Sequence, residues 1–253
     1  MTEEERMNTL GEHDPYAQNA EFWVKIIRQR LDRYRTELTD AAVFDAIGSC
    51  AGLAVLDGGC GEGYLSRYLS ARGATVFGID TSAALIAAAE QERNRLDLRI
   101  EYQVASLEAI PYPSKKFDVV VCNHVINDIV NPEAALKEIG RVTKSGGKLV
   151  LLMLHPCFYT AHAERGDHGE LPVDVYFSTR RIDQRFNVAG LESPDEVHMN
   201  FRPLEYYMSL LTESGYVVTH LSEPHPTTEQ LKDEWWRKNF VKPLFMLVVG
   251  ERR

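Results

Sequence analysis

The sequence predicts an α/β fold in which apolar strands alternate with helices, and three observations predict it. Residues 53–56 form a short apolar run of the length of a buried strand, and helical spacing of apolar residues begins at Tyr64. Residues 74–80 form a second strand-like run, at the separation that one strand–helix–strand unit requires. Further strand-like runs follow at residues 98–104, 116–122 and 148–154. This alternation is typical of a sheet covered by helices.

The composition suits a folded globular protein rather than a nucleic-acid binder. The chain of 253 residues fits one α/β domain with additions, and 44% apolar with 26% charged residues is ordinary for such a domain. The net charge of −9 argues against a protein that grips phosphate backbones, because such a protein needs a basic face. We therefore expect no nucleic-acid partner.

Neither a membrane segment nor a disulfide framework is expected. The longest apolar run, residues 149–154, is too short to span a bilayer, and the acidic start of the chain lacks a signal-peptide pattern. The cysteines stand far apart, at Cys50, Cys60, Cys122 and Cys157, without the C-x-x-C pairs of zinc or redox sites. We expect a cytoplasmic location, no membrane partner and no bound metal.

Two helices are expected before the first strand. Apolar residues recur near one face of residues 16–38. A second short helix, residues 40–47, is expected to begin at a Thr39 or Asp40 cap. The segment at residues 15–23 is rich in aromatic residues, which either pack on the core or cover a bound ligand.

Residues 57–63 form a glycine-rich turn between the first strand and the helix that follows it. Glycine has no Cβ, so the turn can be tight and a ligand can approach its backbone closely. The helix that begins there directs unpaired N–H groups at whatever occupies the turn. The turn is therefore expected to hold a small ligand.

The spacing of the glycines argues against a dinucleotide. The dinucleotide fingerprint is G-x-G-x-x-G, but Tyr64 stands at the sixth position counted from Gly59, and Ser66 at the sixth counted from Gly61. The pattern present at residues 57–63 is D-x-G-x-G-x-G. A nucleotide-dependent oxidoreductase is thereby disfavoured.

This pattern resembles the first motif of class I S-adenosylmethionine-dependent methyltransferases. In that family the acid and the glycine backbone bracket the methionine part of the cofactor. The resemblance therefore implies that Asp57, Gly59, Cys60 and Gly61 bind S-adenosyl-L-methionine, with S-adenosyl-L-homocysteine as the product.

Two later strand ends extend the resemblance to the adenosine part of the cofactor. Asp80 ends the second strand, where its carboxylate can accept hydrogen bonds from both ribose hydroxyls, as the acid at this place does in the family. Thr81 follows it directly and is also expected to bind the cofactor. After the third strand the family usually has Asp-Ala, whose acid accepts from the adenine amino group, whereas this chain has Ser106 and Leu107. A hydroxyl accepts that hydrogen bond less strongly than a carboxylate.

The fourth strand runs into Asn123, which the resemblance also places at the cofactor. Methyltransferases of nucleic-acid bases or of protein glutamine typically carry Asn/Asp-Pro-Pro-Tyr/Phe here, and His124 breaks that motif. The sequence resembles instead the branch that acts on small metabolites. The implied function is methyl transfer to an O, N or C atom of a small molecule, with a natural-product intermediate as one candidate.

The resemblance runs from residue 53 to residue 250 and implies a fold. That fold is a Rossmann-like, doubly wound sheet of seven strands with the last strand antiparallel. The cofactor then lies at the carboxyl ends of the first, second and fourth strands. We expect residues 1–50 to form an N-terminal helical lid and residues 51–253 the methyltransferase domain, in which an insertion at about 155–202 caps the substrate.

The insertion and the end of the chain supply the remaining expected elements. Residues 173–177 and 181–188 alternate weakly, as the two strands of an antiparallel pair do. The rest of the chain is expected to form a helix at residues 203–214, a strand at 216–221, a polar helix from Thr227 or Thr228, and a terminal strand at 243–250.

Two histidines are the candidates for a general base, which is needed only if the acceptor loses a proton, as a hydroxyl does. His124 follows the fourth strand and His155 follows the fifth, so both leave carboxyl strand ends. His155 is preferred because it opens the insertion, and a loop-ordering role is its alternative. Tyr16, His155 and Tyr159 are expected to contact the substrate, and Tyr16 also the cofactor. Core packing is the alternative for both tyrosines.

A different class of function remains open at this point. A protein that has kept the fold and binds S-adenosylmethionine, but has lost methyl transfer, would act through interaction with a partner. The sequence does not indicate an oligomeric state.

Overall fold

The structure, a computed structural model, describes residues 15–159 and 173–253. Strands dominate its centre. In chain order they are β1 (Ala54–Gly58), β2 (Thr75–Asp80), β3 (Ile100–Val104), β4 (Phe117–Asn123), β5 (Thr143–Leu154), β6 (Arg180–Gln184), β7 (Asn187–Val188), β8 (Leu191–Glu192), β9 (Val197–Phe201), β10 (Tyr216–Ser222) and β11 (Phe245–Arg252).

Seven of these strands form one sheet with the order β10-β11-β5-β4-β1-β2-β3. β1 pairs in parallel with β2 and β4, β2 with β3, and β4 with β5, whereas β11 is antiparallel to both β5 and β10. This arrangement confirms the expected Rossmann-like, doubly wound sheet with an antiparallel last strand. The direction of winding changes between β1 and β4, which is where open α/β sheets bind ligands.

Helices cover both faces of the sheet. They are α1 (Pro15–Arg28), α2 (Asp40–Ile47), α3 (Tyr64–Ser70), α4 (Ala83–Arg95), α5 (Pro132–Val142), α6 (Val173–Tyr176), α7 (Leu204–Glu213) and α8 (Glu234–Asn239). Side chains of β5 alternate between the faces: Leu149 and Leu151 pack with α5 and α7, and Val150 and Leu152 pack with α2, α3 and α4. Strands buried on both faces in this way are expected to be apolar throughout.

The N-terminal helix is shorter than expected. The predicted helix over residues 16–38 was wrong, because α1 ends at Arg28. Arg30 has a left-handed backbone with φ of +55°, and the Leu31 amide donates to the Ile26 carbonyl at 3.0 Å. These are the features of a helix that ends in a Schellman motif. Apolar periodicity continued across this break and therefore did not reveal it.

The second helix has the expected bounds, Asp40–Ile47, but the cap expected at Thr39 or Asp40 was wrong. A π-helical turn at Arg35–Thr39 runs directly into α2, and the Thr39 side chain makes no capping hydrogen bond. The Asp32 carboxylate instead accepts from the Arg35 amide at 3.2 Å, one turn earlier. An Asp at this place satisfies a backbone donor that has no intrahelical partner.

The insertion is built differently from its predicted strand pair. β6 pairs antiparallel with β9, β7 and β8 form a short hairpin, and Val173–Tyr176 is helical. Alternation identifies the faces of a strand but not its partner, which here stands after the hairpin. The stretch at residues 160–172 of the predicted insertion lies outside the described residues.

The polar segment after β10 also differs from its prediction. No helix begins at Thr227 or Thr228; a 3₁₀ turn occupies Gln230–Lys232, and α8 starts after Asp233, whose carboxylate accepts from the Trp235 amide at 2.9 Å. Across residues 15–159 and 173–253, no helix combines the length and the apolar character needed to cross a bilayer.

Candidate active site

The glycine turn after β1 folds over the end of β2. The Gly59 and Cys60 amides both donate to the Ile79 carbonyl, at 2.8 and 2.9 Å. At Gly59 a Cβ would lie 2.5 Å from a methyl group of Val125, so Val125 leaves no space for a side chain there. At Gly61, where φ is +55°, a Cβ would meet nothing within 4 Å. The turn is thus closed at Gly59 and open at Gly61, where a ligand can approach the backbone.

Asp57 is a buried carboxylate at the end of β1. The Ser66 hydroxyl donates to its Oδ2 at 2.6 Å. Burial and the nearby negative charge of Asp80 together raise the pKa of Asp57 to about 6, although the hydrogen bond from Ser66 lowers it. A positively charged ligand near Asp57 would therefore be favoured.

Asp80 ties the glycine turn to the helix after β2. Its Oδ2 accepts from the Gly61 amide at 2.8 Å and its Oδ1 from the Ser82 amide at 2.9 Å. These backbone bonds fix the orientation in which Asp80 would meet a ribose.

The end of β4 carries a polar network that reaches the first helices. Asn123 Nδ2 donates to the Tyr64 hydroxyl at 2.5 Å, and that hydroxyl donates to Asp40 Oδ1 at 3.1 Å. Asn123 Oδ1 is buried and has no hydrogen-bond partner. Because a buried acceptor is costly without a donor, this oxygen marks a place where a ligand with N–H groups fits.

Arg35 lies beside this network and was not foreseen. Its guanidinium stands 4.6 Å from the centre of the Tyr64 ring, and its Nε is buried without a hydrogen-bond partner. A guanidinium in such a place suits a carboxylate ligand, since Arg binds carboxylates with geometric specificity. No motif surrounds Arg35 in the sequence, and only the fold brings it to the glycine turn.

One cavity of about 1200 Å³ joins these groups. It brings together every predicted site residue except His155. Those that line it are Tyr16, Asp57, Gly59, Cys60, Gly61, Asp80, Thr81, Ser106, Leu107, Asn123, His124 and Tyr159. Ser106 Oγ accepts from the Glu108 amide at 3.1 Å, which orders the loop after β3.

The placement expected for His155 is corrected by the structure. Its side chain is buried outside the cavity lining, with Nδ1 accepting from the Cys157 amide at 3.1 Å. Nε2 lies 2.8 Å from Glu223 Oε1 and donates to it, since Nδ1 is the acceptor of the neutral ring. Both ring nitrogens are thus engaged away from the cavity, and His155 links the end of β5 to the segment after β10.

His124 does line the cavity. Its backbone is left-handed, with φ of +60°, and its ring packs edge-on against Phe245 at 5.4 Å. Burial lowers the pKa of His124 to about 3, and the positive charge of Arg35 contributes in the same direction. The ring is therefore neutral at physiological pH, and it is a weak base.

Tyr159 lines the edge of the cavity and is tightly packed. Gln184 Nε2 donates to its hydroxyl at 2.8 Å, and its ring stacks on Phe201 at 5.2 Å. Both partners belong to the paired strands β6 and β9. Tyr159 therefore anchors these strands as well as lining the cavity.

Asp128 is a second unforeseen site residue. The Tyr16 hydroxyl donates to Asp128 Oδ2 at 2.7 Å, which joins α1 to the loop after β4. Burial raises the pKa of Asp128 to about 7; the Tyr16 hydrogen bond lowers it, and the charge of Asp80 raises it. The only signal in the sequence was an acid shortly after a strand end.

The strands of the insertion form the far wall of the cavity. Arg181 of β6 and His198, Asn200 and Arg202 on or just after β9 line it, together with the β7–β8 hairpin. The Asn200 amide donates to the Asn127 carbonyl at 2.6 Å, which fixes β9 above the loop after β4. Within the part of the chain that the structure describes, no three His, Cys, Asp or Glu side chains are grouped to hold a metal ion.

Comparisons of sequence find methyltransferases. A family model described as a methyltransferase domain matches residues 56–151. A ubiquinone biosynthesis O-methyltransferase of Pseudomonas putida (strain W619) is 28% identical over 190 residues, which cover 69% of this chain and 81% of the relative. The protein of the same name from Coxiella burnetii (strain RSA 493 / Nine Mile phase I) is 36% identical over 95 residues, 38% of this chain and 41% of the relative.

Solved structures agree on the fold. An S-adenosylmethionine-dependent methyltransferase from Mesorhizobium loti aligns with a TM-score of 0.68 and 22% identity, over 84% of this chain and 96% of its own. One from Aquifex aeolicus aligns with a TM-score of 0.59 and 18% identity, over 94% of this chain and 98% of its own. The matched domain, the relatives and the sheet topology together lead to one conclusion: the chain is a methyltransferase with the class I fold, and its cofactor is S-adenosyl-L-methionine.

Proposed function

We propose that this methyltransferase acts on a small molecule bound between the carboxyl ends of the central strands and the strands of the insertion. The observation that carries the proposal is the size of the cavity. At about 1200 Å³ it exceeds the roughly 300–1000 Å³ that enclose one drug-sized ligand. The cavity therefore has room for the cofactor and for a second small molecule.

The residues around the glycine turn fit the cofactor. Gly61 offers open backbone, and the unpartnered Asn123 Oδ1 and the raised pKa of Asp57 suit the amino group of the methionine part. Arg35 suits its carboxylate. Asp80 would accept from the ribose hydroxyls, with Thr81, Ser106 and Leu107 around the adenine.

The protein contributes to the reaction by positioning the acceptor and by excluding water. S-adenosylmethionine supplies a methyl group already activated by a sulfonium, so the protein has to hold the acceptor in line with it. Tyr16, Trp23, Ile27 and Leu31 of the N-terminal segment close one side of the cavity. We propose that residues 1–50 serve as the lid and that the insertion at about 155–202 caps the acceptor.

Oxygen is the favoured acceptor atom within this proposal. The sequence relatives are named O-methyltransferases of ubiquinone biosynthesis, and the match to one of them spans 81% of its length. A net charge of −9 supports a small molecule over a nucleic acid. We accordingly propose methylation of a hydroxyl on a small organic molecule.

A labelling experiment tests this proposal. The protein is incubated with methyl-labelled S-adenosylmethionine and a bacterial extract, which is then separated into metabolites, protein and nucleic acid. Label is expected in the metabolite fraction as an O-methyl group. Asp80→Ala serves as the control that should lose cofactor binding in calorimetry and all labelling. Label confined to protein or nucleic acid would refute a small-molecule acceptor.

A further inference from the structure

We propose that Asp128 is the general base of this enzyme, taking the proton of the acceptor hydroxyl as the methyl group is transferred, and that Tyr16 is the positioning residue that holds it. This inference rests on the proposed function, since an acceptor without an O–H proton would need no base. It assigns a role to a carboxylate that no sequence motif marks.

The position of Asp128 suits that role. It lines the cavity in the loop after β4, and its Oδ2 is held by the Tyr16 hydroxyl at 2.7 Å, which leaves Oδ1 for another donor. The preceding residue is fixed on two sides: Asn127 Oδ1 accepts from the Leu154 amide at 3.0 Å, and the Asn127 carbonyl accepts from the Asn200 amide. Asp128 therefore lies between the cofactor-binding strand ends and the strands of the insertion.

The other acids of the cavity already have partners that determine their roles. Asp57 accepts from Ser66, and Asp80 accepts from two backbone amides. Glu62 is fully buried between Arg28 and Arg67, at 2.9 and 2.6 Å. Asp32 and Glu108 accept from the backbone amides of Arg35 and Asn131. Asp128 differs in its place from Asp57, the other acid held by a side-chain hydroxyl: it lies in the loop after β4, beside the contact with β9, and not at the end of β1.

The histidines are poorer candidates. His124 lines the cavity, but its pKa is lowered to about 3, so it would hold an abstracted proton weakly. His155 is engaged outside the cavity by Cys157 and Glu223. His198 is paired with Asp183 at 2.7 Å.

The electrostatics of Asp128 match the task. Burial raises its pKa to about 7, and a general base at physiological pH is most effective when its pKa lies near that pH. Ionisable groups face Asp128 or share the cavity wall with it on every neighbouring element: Tyr16 on α1, Asp80 on β2, His124 after β4, His198 and Arg202 on or after β9, and Tyr207 on α7.

The proposed step balances. The acceptor oxygen forms a bond to the methyl carbon while the carbon–sulfur bond breaks, and the electron pair of the broken bond stays on sulfur. The acceptor proton passes to Oδ1 of Asp128, and from there to water when the product leaves. No oxidant or metal is required.

Two variants separate a base from a mere structural contact. Asp128→Asn removes the base but keeps an oxygen for the Tyr16 hydroxyl, whereas Tyr16→Phe removes that hydroxyl but keeps the base. Asp97→Asn is the matched control, because Asp97 is an exposed acid in a turn whose left-handed φ of +52° suits Asn. Affinity for S-adenosylhomocysteine, measured by calorimetry, should change little in Asp128→Asn.

The first measurement needs no acceptor. In protein with ¹³C-labelled Asp side chains and bound S-adenosylhomocysteine, the NMR signal that disappears in Asp128→Asn should titrate near pH 7. In Tyr16→Phe it should titrate higher, because the lost hydrogen bond had favoured the carboxylate. A titration near the ordinary value of about 4 would overturn the proposal.

The second measurement uses kinetics with catechol as the probe acceptor, or with the hydroxyl compound that the labelling experiment identifies if catechol is not methylated. Asp128→Asn should lower kcat by about 100-fold or more and abolish the acid limb of the pH–rate profile. Tyr16→Phe should lower kcat less and move that limb to higher pH. Asp97→Asn should match the wild type.

The outcomes distinguish this proposal from the proposed function. O-methylation of a small molecule at an unchanged rate in Asp128→Asn would overturn only the base. Equal losses of kcat in Asp128→Asn and Tyr16→Phe, without a shift of the acid limb of the pH–rate profile, would show that the two residues have only a structural role. Labelling of nitrogen or of a macromolecule in place of a hydroxyl would overturn the proposed function and, with it, the need for this base.

Discussion

Asp57 is a buried carboxylate whose surroundings favour a positively charged ligand. Its pKa of about 6 results from burial, with the charge of Asp80 adding to it. A cation within a few ångströms stabilises the ionised form of a carboxylate and lowers its pKa. The amino and sulfonium groups of the cofactor are such cations, so their binding would relieve an electrostatic cost that the protein carries without them.

Two glycines of the same turn should respond differently to alanine. Gly59→Ala would place a Cβ 2.5 Å from Val125 in a left-handed backbone, so we expect a thermal midpoint lowered by several degrees. Gly61→Ala meets open space and should cost only the roughly 1 kcal/mol of its left-handed φ. Its larger effect should be weaker binding of S-adenosylmethionine in calorimetry. Equal stability losses in the two variants would contradict this division.

Arg35 gives a prediction about which part of the cofactor it holds. Arg35→Gln removes the charge beside Tyr64, and we expect affinity for S-adenosylhomocysteine to fall about tenfold or more. Affinity for methylthioadenosine, which lacks the amino-acid part, should stay within twofold. Calorimetry with both ligands checks this. A similar loss for both would show that Arg35 acts through the fold rather than through the carboxylate.

At the scale of elements, the end of α1 is a site where local conformation and residue type disagree. Arg30 occupies the left-handed position that follows many helices, where glycine is the usual residue. Arg30→Gly should therefore raise the free energy of unfolding by about 0.5–1 kcal/mol. Gln29→Gly, one residue earlier, is the control and should lower it. Urea unfolding measures both, and a loss of stability in Arg30→Gly would refute the argument.

The elements that the sequence predicted are those with local signals. An apolar run followed by a polar residue places the end of β2 correctly and the ends of β1 and β4 within two residues. Parallel pairing then gathers Asp57, Asp80 and Asn123 at one edge of the sheet. The break after Arg28 was missed because apolar spacing continues across it. The partner of β6 was missed because pairing depends on a strand beyond the hairpin.

The site residues likewise divide into those with a local sequence signal and those that depend on distant contacts. The glycine turn carries its own pattern, whereas the orientation of His155 depends on Glu223, which is distant in the chain. Arg35 reaches the cavity only through the packing of the N-terminal segment on the sheet, and the contact of Asp128 with Tyr16 depends on the same packing. A sequence motif therefore marks the glycine turn, whereas tertiary contacts determine the surroundings of Arg35 and Asp128.

At the scale of the whole molecule, two groups of acids among the described residues respond to pH in opposite ways. Hydrogen bonds from arginine lower the pKa of Glu37, Glu92 and Glu138, so their small contributions to stability are lost only as pH falls below about 4. The cavity acids Asp57 and Asp128 have raised pKa values instead. Their contribution is present at low pH and is lost as pH rises toward 7.

The free energy of unfolding of the cofactor-free protein should therefore decrease as pH rises from about 4 to about 7, because of the two acids in the cavity. Between about pH 4 and pH 7 the native state binds more protons than the unfolded state at Asp57 and Asp128, so the free energy of unfolding falls as pH rises. Asp128→Asn removes one of these groups and should raise the thermal midpoint by roughly 2–4 °C at pH 8, with no gain at pH 4. Scanning calorimetry at both values, with Asp97→Asn as the control, measures this. A lower midpoint at pH 8 would mean that the Tyr16 contact to the ionised carboxylate outweighs the cost of burying its charge.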